Sequence, residues 1–391
     1  MTTDGGAAAG PGTAQVEPAV RVSTLELFFD LVFVFTVTQL TNVLSAGLTA
    51  TTALRIVIVL GVTLWMYGGY AWLTNVVAPT SSVRRGLLIT GMAGFLTMAL
   101  AIPTAFTTGG LAFGIGYFVV NLVHTGLFWY SGGRPAGGAI RQLAPLNLTS
   151  ATMILVGGAV PDARWRTVLW AAAFALQIAS PYLHRMGSWP IAPAHFVERH
   201  GLVVIVALGE SVVAIGLGAA GHELDAGLIA VAVLGLVMAY LLWWTYFGGD
   251  DEAAEHALAA IPPEQRGRAA IRAFGYAHYP ILLGIVVLAA GVKKSIGHAF
   301  EAGTWSQVGL LGGGVAIFLF GDVLFRRTLR IGALRYRTLG AVGALATIPL
   351  GRASTVLQLV ALVVVLTVMI ATEDRARGVN WLRARDWTER H

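Results

Sequence analysis

Long apolar runs recur along almost the whole chain, and no other feature restricts its fold as much. A bilayer core about 30 Å thick takes roughly 20 apolar residues per helix. Twelve stretches of about that length follow one another: Thr24–Ala46, Ala53–Ala78, Gly86–Phe106, Gly110–Tyr130, Gly138–Val160, Trp165–Leu183, Arg199–Ala219, Leu224–Phe247, Ala269–Val292, Thr304–Phe325, Arg337–Leu350 and Ser354–Ala371. The eleventh is short and ends at Pro349, so the division between the last two is the weakest. The runs are continuously apolar, without the period-two alternation of outer-membrane strands. Helices remain as the way to satisfy the backbone in lipid. The sequence therefore predicts an all-α, polytopic transmembrane helical bundle with about 12 spans.

Composition agrees. Of 391 residues, 12% are charged and 56% hydrophobic; the mean hydropathy is +0.72 and there is no cysteine. A soluble protein carries about 25% charged residues. A soluble enzyme, a disordered chain and a disulfide-stapled secreted domain are thereby excluded.

The net charge of +6 could suggest nucleic acid, but the placement of the basic residues gives another answer. An even number of spans puts both termini on one side. Distributing the 26 Lys and Arg over alternate sides leaves 20 on the terminus side and 6 opposite, the latter being Arg55, Arg164, Arg166, Lys293, Lys294 and Arg352. The positive-inside rule then predicts cytoplasmic termini in a bacterial inner (cytoplasmic) membrane protein. The lipid bilayer is the expected partner, and no nucleic-acid partner is expected.

Residues 1–22 lack a basic n-region and a cleavage pattern and are read as a disordered cytoplasmic leader. Residues 23–372 form the transmembrane domain, and 373–391 form a cytoplasmic tail whose Trp381, Leu382 and Trp387 suit a headgroup surface. The loop Gly249–Arg268, with Asp250, Asp251, Glu252, Glu255 and the Pro262–Pro263 break, reads as a short amphipathic helix. One offset of 172 residues separates both Glu26 from Glu198 and Trp72 from Trp244. That fits two parallel six-helix repeats, 23–183 and 195–372, although the match does not persist beyond the second helix.

Polar residues inside spans are expensive and mark function by default. Glu26 and Asp30 lie i,i+4 on one face of the first helix, with Thr41 returning to it. Two carboxylates one turn apart suit a proton relay, because both do not ionise easily in a poor dielectric. For Glu26 a capping box, Ser23-x-x-Glu26, is the competing reading. Glu210 lies about twelve residues into the seventh helix, with Gly209 and Ser211 beside it and no cap to explain it. It is the strongest single candidate in the chain. His195, Glu198, Arg199 and His200 precede it, but neither HExxH nor HxxEH is present, so an ionic cluster at the cytoplasmic edge is expected rather than zinc. No metal or cofactor is expected. Tyr117, Asn121 and His124 share a face of the fourth helix, and Asn147, Gln177, Tyr276 and His278 add polar groups at similar depth. Each alone is explained by an interhelical hydrogen bond. Asp322 can simply pair with Arg326, and Gly312-Gly313-Gly314 reads as close helix packing.

The runs Glu26-Leu27-Phe28-Phe29-Asp30-Leu31-Val32-Phe33-Val34-Phe35 and His195-Phe196-Val197-Glu198-Arg199-His200-Gly201, the latter continuing to Ala207-Leu208-Gly209-Glu210-Ser211, resemble the bacterial low temperature requirement A family. Trp243-Trp244-Thr245-Tyr246-Phe247 extends the similarity, while His200 stands where the family pattern has an aromatic. The resemblance implies a multi-pass cytoplasmic-membrane protein, linked by name to growth in the cold, and supplies no reaction.

The residues themselves point to a proton-coupled transporter or channel for a small solute or ion. Asp30 and Glu210 would exchange protons, while Asn121, His124 and His278 orient substrate or water. Two alternatives stay open: an intramembrane lipid-modifying enzyme using the same carboxylates, and a structural or sensor protein whose polar residues only join helices.

Overall fold

The computed structural model describes residues 22–77, 81–131, 133–183 and 191–378, with side chains outside 131–142. The leader up to residue 21, the tail beyond 378 and Arg185 of the charge count lie outside these. The described residues are helical, without a strand. In chain order the helices are α1 (Thr24–Ala46), α2 (Ala50–Val76), α3 (Ser82–Ala101), α4 (Gly110–Ser131), α5 (Gly133–Ala159), α6 (Ala163–Leu183), α7 (Pro193–Ala219), α8 (Ala226–Phe247), α9 (Asp250–Ala260), α10 (Pro263–Ala270), α11 (His278–Ser295), α12 (Trp305–Leu329), α13 (Leu334–Ala346), α14 (Ile348–Gly351) and α15 (Thr355–Ala376). A π-helical stretch, Ile271–Ala277, carries α10 into α11.

Polar residues start the apolar helices. Ser23, Thr49, Ser81, Asp225 and Thr304 each accept the N–H of the residue three further on, which satisfies a first-turn donor. The Ser23–Glu26 capping box is fully formed. The Gly249–Arg268 loop contains the expected helix, α9, packed through Ala254 and Leu258.

Among the described residues, nine helical stretches are long and apolar enough to cross a membrane, fewer than the twelve expected. The expected fifth, sixth and eleventh spans are missing from these nine. Of α5, the part with described side chains, Leu143–Ala159, is apolar. α6 begins with Arg164 and Arg166 and carries Gln177. The eleventh breaks at Thr347, before Pro349, into α13 and α14.

The outside of the bundle is apolar. Val360, Val364 and Val368 are all exposed, at helical spacing along α15, as are Leu111, Ile115 and Leu122 on α4. Water would penalise such stripes, whereas lipid is the solvent they match. Inside, α11 and α12 approach closely at glycines: a Cβ built on Gly314 would lie 2.5 Å from Leu288 N, and one on Gly284 would lie 2.4 Å from Phe318 N.

Polar contacts mark the two ends of the bundle. At one end, Lys293 and Lys294 of α11 reach Asn42 Oδ1 (2.6 Å) and Ser45 O (3.0 Å) at the end of α1. At the other end α1 and α7 begin, and charged side chains gather there.

Candidate functional site: a charged cluster beside an aromatic cavity

Two i,i+4 pairs meet face to face. Glu26 and Asp30 on α1 oppose His195 and Arg199 on α7, and all four are buried. The Arg199 Nη1 donates to Asp30 Oδ2 (2.7 Å) and to Glu26 O (2.9 Å), while its Nε lies 3.8 Å from Glu26 Oε1. Tyr67 of α2 donates to Asp30 Oδ1 (2.8 Å) and is also placed 3.2 Å from Arg199 O. Glu26 Oε2 accepts from both Ser23 N and Ser23 Oγ at 2.8 Å. Asn75 fixes the histidine. Its Oδ1 accepts Ala192 N–H (3.0 Å), so its Nδ2 must donate to Ala192 O and to His195 Nδ1 (both 3.1 Å). Nδ1 is therefore an acceptor, and the ring proton sits on Nε2, 3.2 Å from Glu26 Oε1.

In this geometry Asp30 has a basic partner, because Arg199 projects from α7 onto the α1 face. The four-residue edge cluster also divides by helix face: His195 and Arg199 join the carboxylates, Glu198 is exposed, and His200 turns to Phe274 (ring centroids 5.0 Å) and His278 (5.7 Å).

Next to the cluster lies a cavity of about 300 Å³, at the lower end of the range of small-molecule pockets, about 300–1,000 Å³. Its wall is aromatic, with Trp65, Trp72, Phe196 and Tyr276, and its polar lining includes Tyr67, His124, Asn147 and His200. Tyr67 thus faces the cavity on one side and binds Asp30 on the other. His124 Nε2 bonds Gly69 O (3.1 Å), and its buried Nδ1 has no partner.

The other expected residues lie elsewhere. Asp30 and Glu210 do not line this cavity. Asn121 Nδ2 donates to Tyr117 O (2.8 Å), and the Tyr117 hydroxyl pairs with Gln177. His278 is held between Ala273 O (2.9 Å, at Nδ1) and Tyr246 Oη (2.7 Å, at Nε2), behind the His200 ring. Since the carbonyl can only accept, Nδ1 carries the proton and Tyr246 donates to Nε2. Glu210 is buried, with Oε1 unpartnered; its polar neighbours are Thr38 of α1 and Lys293 of α11. Among the described residues no basic nitrogen is within ion-pairing distance of it. The Ser211 hydroxyl is also buried and unpartnered.

A second charged network lies at the same end, of which the sequence suggested only the Asp322–Arg326 pair. Arg326 binds Asp250 through Nε (2.5 Å) and Nη2 (3.0 Å), and Glu373 through Nη1 (2.6 Å). Asp322 stands 3.4 Å from Arg326, the expected partner, but only 2.9 Å from Arg337. Arg337 also reaches Glu373 (3.1 Å), and Arg377 reaches Glu373 (2.7 Å) and Asp250 (3.3 Å). Three carboxylates and three guanidiniums thus tie α9, α12, α13 and α15 together.

A helical membrane protein with a charged clamp at the start of α1 and α7 is the class these features define. Residues 21–372 match the family model described as Bacterial low temperature requirement A protein (LtrA). The chain belongs to the LtrA family. It is also similar to an uncharacterized protein of Rhizobium meliloti (strain 1021), 30% identical over 319 residues that cover 78% of this chain and 77% of that protein.

Proposed function

We propose that the protein carries a small solute across the bacterial cytoplasmic membrane, using the aromatic cavity as the solute site and Glu210 as the proton-exchanging group. The cavity carries this reading. It sits inside an apolar bundle, and one of its wall residues, Tyr67, is hydrogen-bonded to a buried carboxylate on another helix. His124, Asn147 and His200 contact the solute. The Glu26–Asp30–His195–Arg199 cluster positions α1 against α7, and Asp30 acts through Tyr67.

Twelve spans with both termini cytoplasmic fit this reading. The helix-end contacts alternate as such a topology requires: Lys293 and Lys294 meet the end of α1, while Asp250, Arg326, Arg337 and Glu373 meet at the end where α7 starts. The three segments outside the nine, α5, α6 and α13 with α14, complete the count. The halves 23–183 and 195–372 then meet along α1 and α2 against α7 and α11, between the leader 1–22 and the tail 373–391. The pairing of both Asp30 oxygens favours a second reading for that residue alone, a structural strut.

Proteoliposomes holding a pH-sensitive dye test the proposal. Wild type should dissipate or exploit a pH gradient, and Glu210→Gln should not, with unfolding behaviour unchanged. Equal proton flux in the two folded proteins removes Glu210 from the reading. Absence of flux in both removes proton coupling.

A further inference from the structure

The hydroxyls and imidazoles around the cavity spend their protons elsewhere, while the Asn147 amide and the Trp65 and Trp72 indoles also belong to its lining. Tyr67 and Tyr279 direct their hydroxyl protons away from it, to Asp30 (2.8 Å) and to Val57 O (2.7 Å); Ser180 donates to Gln177 O (2.8 Å). His124 gives its Nε2 proton to Gly69 O and His200 its Nδ1 proton to Phe196 O (2.8 Å). That leaves His124 Nδ1 and His200 Nε2 with lone pairs. His124 is 4% exposed and its Nδ1 has no partner among the described residues. No Asp, Glu, Lys or Arg lines the cavity among the described residues. Two imidazole lone pairs thus stand in a wall that is aromatic and uncharged among the described residues.

Part of the cavity wall is a seam between α6 and the π-helical stretch. Tyr276 bridges it by donating to Ile178 O (2.7 Å), and its ring stacks on Tyr182 (6.1 Å, 4°) and Trp65 (6.2 Å, 28°). Ile178 and Tyr182 are exposed on the apolar outside of the bundle, so a molecule dissolved in lipid meets this seam directly.

We propose that the cavity binds a neutral, ring-containing alcohol or phenol that enters from the lipid phase, its hydroxyl donating to His124 Nδ1 or His200 Nε2. The inference deepens the solute-carrier reading and rests on it only for the word substrate, since binding is measured without a gradient.

The test is equilibrium dialysis of the full chain in lipid nanodiscs against empty nanodiscs of the same lipid. The probes are 2-naphthol, its methyl ether 2-methoxynaphthalene, and 2-naphthoate, which share a ring system but differ in donor and charge. Saturable binding of 2-naphthol is expected, with the ether about tenfold weaker or more, because a buried acceptor is left unpaired. Naphthoate should not bind. His124→Phe, which keeps a ring in place, should reduce the naphthol-to-ether ratio, and Glu301→Gln, at an exposed residue that does not line the cavity, should leave it standing. Tyr276→Ala should speed association. Equal binding of naphthol and ether, or tight binding of naphthoate, overturns the proposal; these arms use wild type and do not depend on a variant folding. An unchanged association rate in folded Tyr276→Ala overturns entry from lipid. Binding as described without flux in proteoliposomes would leave the site standing and end the carrier reading instead.

Discussion

Arg199→Met is the perturbation that reports most directly on the charged clamp. Arg199 is 1% exposed, and its guanidinium faces Asp30 at 2.7 Å and Glu26 at 3.8 Å. Methionine fills much of the same space but leaves two buried carboxylates without their cation. Removing one partner of a buried pair costs about 3–5 kcal/mol, and that range is the expectation here. The partner change, Asp30→Leu, leaves the Tyr67 hydroxyl its second acceptor, Arg199 O at 3.2 Å, but strands the guanidinium. Replacing both partners by apolar groups is often close to neutral, while Glu26 keeps its two bonds from Ser23. The double variant should therefore lose less than the sum of the singles, with a coupling of about 2 kcal/mol or more. Unfolding by rising SDS mole fraction in mixed micelles, followed by tryptophan fluorescence, gives all four stabilities. Additive single costs, or an Arg199→Met cost below about 1 kcal/mol, would refute the clamp.

The same titration checks two further expectations. Gly314→Ala should cost about 1–3 kcal/mol because its Cβ would meet the Leu288 backbone at 2.5 Å. Gly313→Ala, which meets nothing within 4 Å, should be neutral or gain up to about 1 kcal/mol from helix propensity. Arg326→Lys keeps the charge but not the fork that holds Asp250 twice and Glu373 once. It should cost about 2 kcal/mol or more, whereas Glu301→Gln, in an exposed pair with His298, should stay within about 0.5 kcal/mol.

Helical class was legible because spanning length and continuous apolarity are local properties, and so was the capping box at Ser23. Helix count was less legible. Gln177, Arg164, Arg166 and Pro349 lower the apolarity of segments whose neighbours decide whether they cross. The clamp was half visible: Glu26 and Asp30 share the i,i+4 spacing of His195 and Arg199, and complementary pairs at equal spacing on two helices are a readable signal. Nothing local shows that α1 and α7 meet, so the pairing of Asp30 with Arg199 could not be read. Asp250, Arg337 and Glu373 were assigned to loops and helix ends because their network spans sequence separations that periodicity does not register. Tyr67 and Asn75 carried no signal beyond being polar in an apolar helix.

Pairing moves the functional weight within the chain. Asp30 has both oxygens occupied, so releasing its proton-binding capacity would first require separating α1 from α7. Glu210 needs no such step, since one oxygen is buried and unpartnered. It lies away from the cavity, yet α1 reaches both Glu210 and the clamp beside the cavity: Thr38 is a polar neighbour of Glu210, and Asp30 binds Tyr67 of the cavity wall. Eight residues of α-helix span about 12 Å. A change of charge at Glu210 alters the electrostatics around Thr38 and Lys293, and α1 is a rigid connection from there to Asp30 and hence to Tyr67. In the proposed carrier, coupling between proton and solute would need no shared cavity, only a small shift of α1 that changes how Tyr67 sits in the cavity wall.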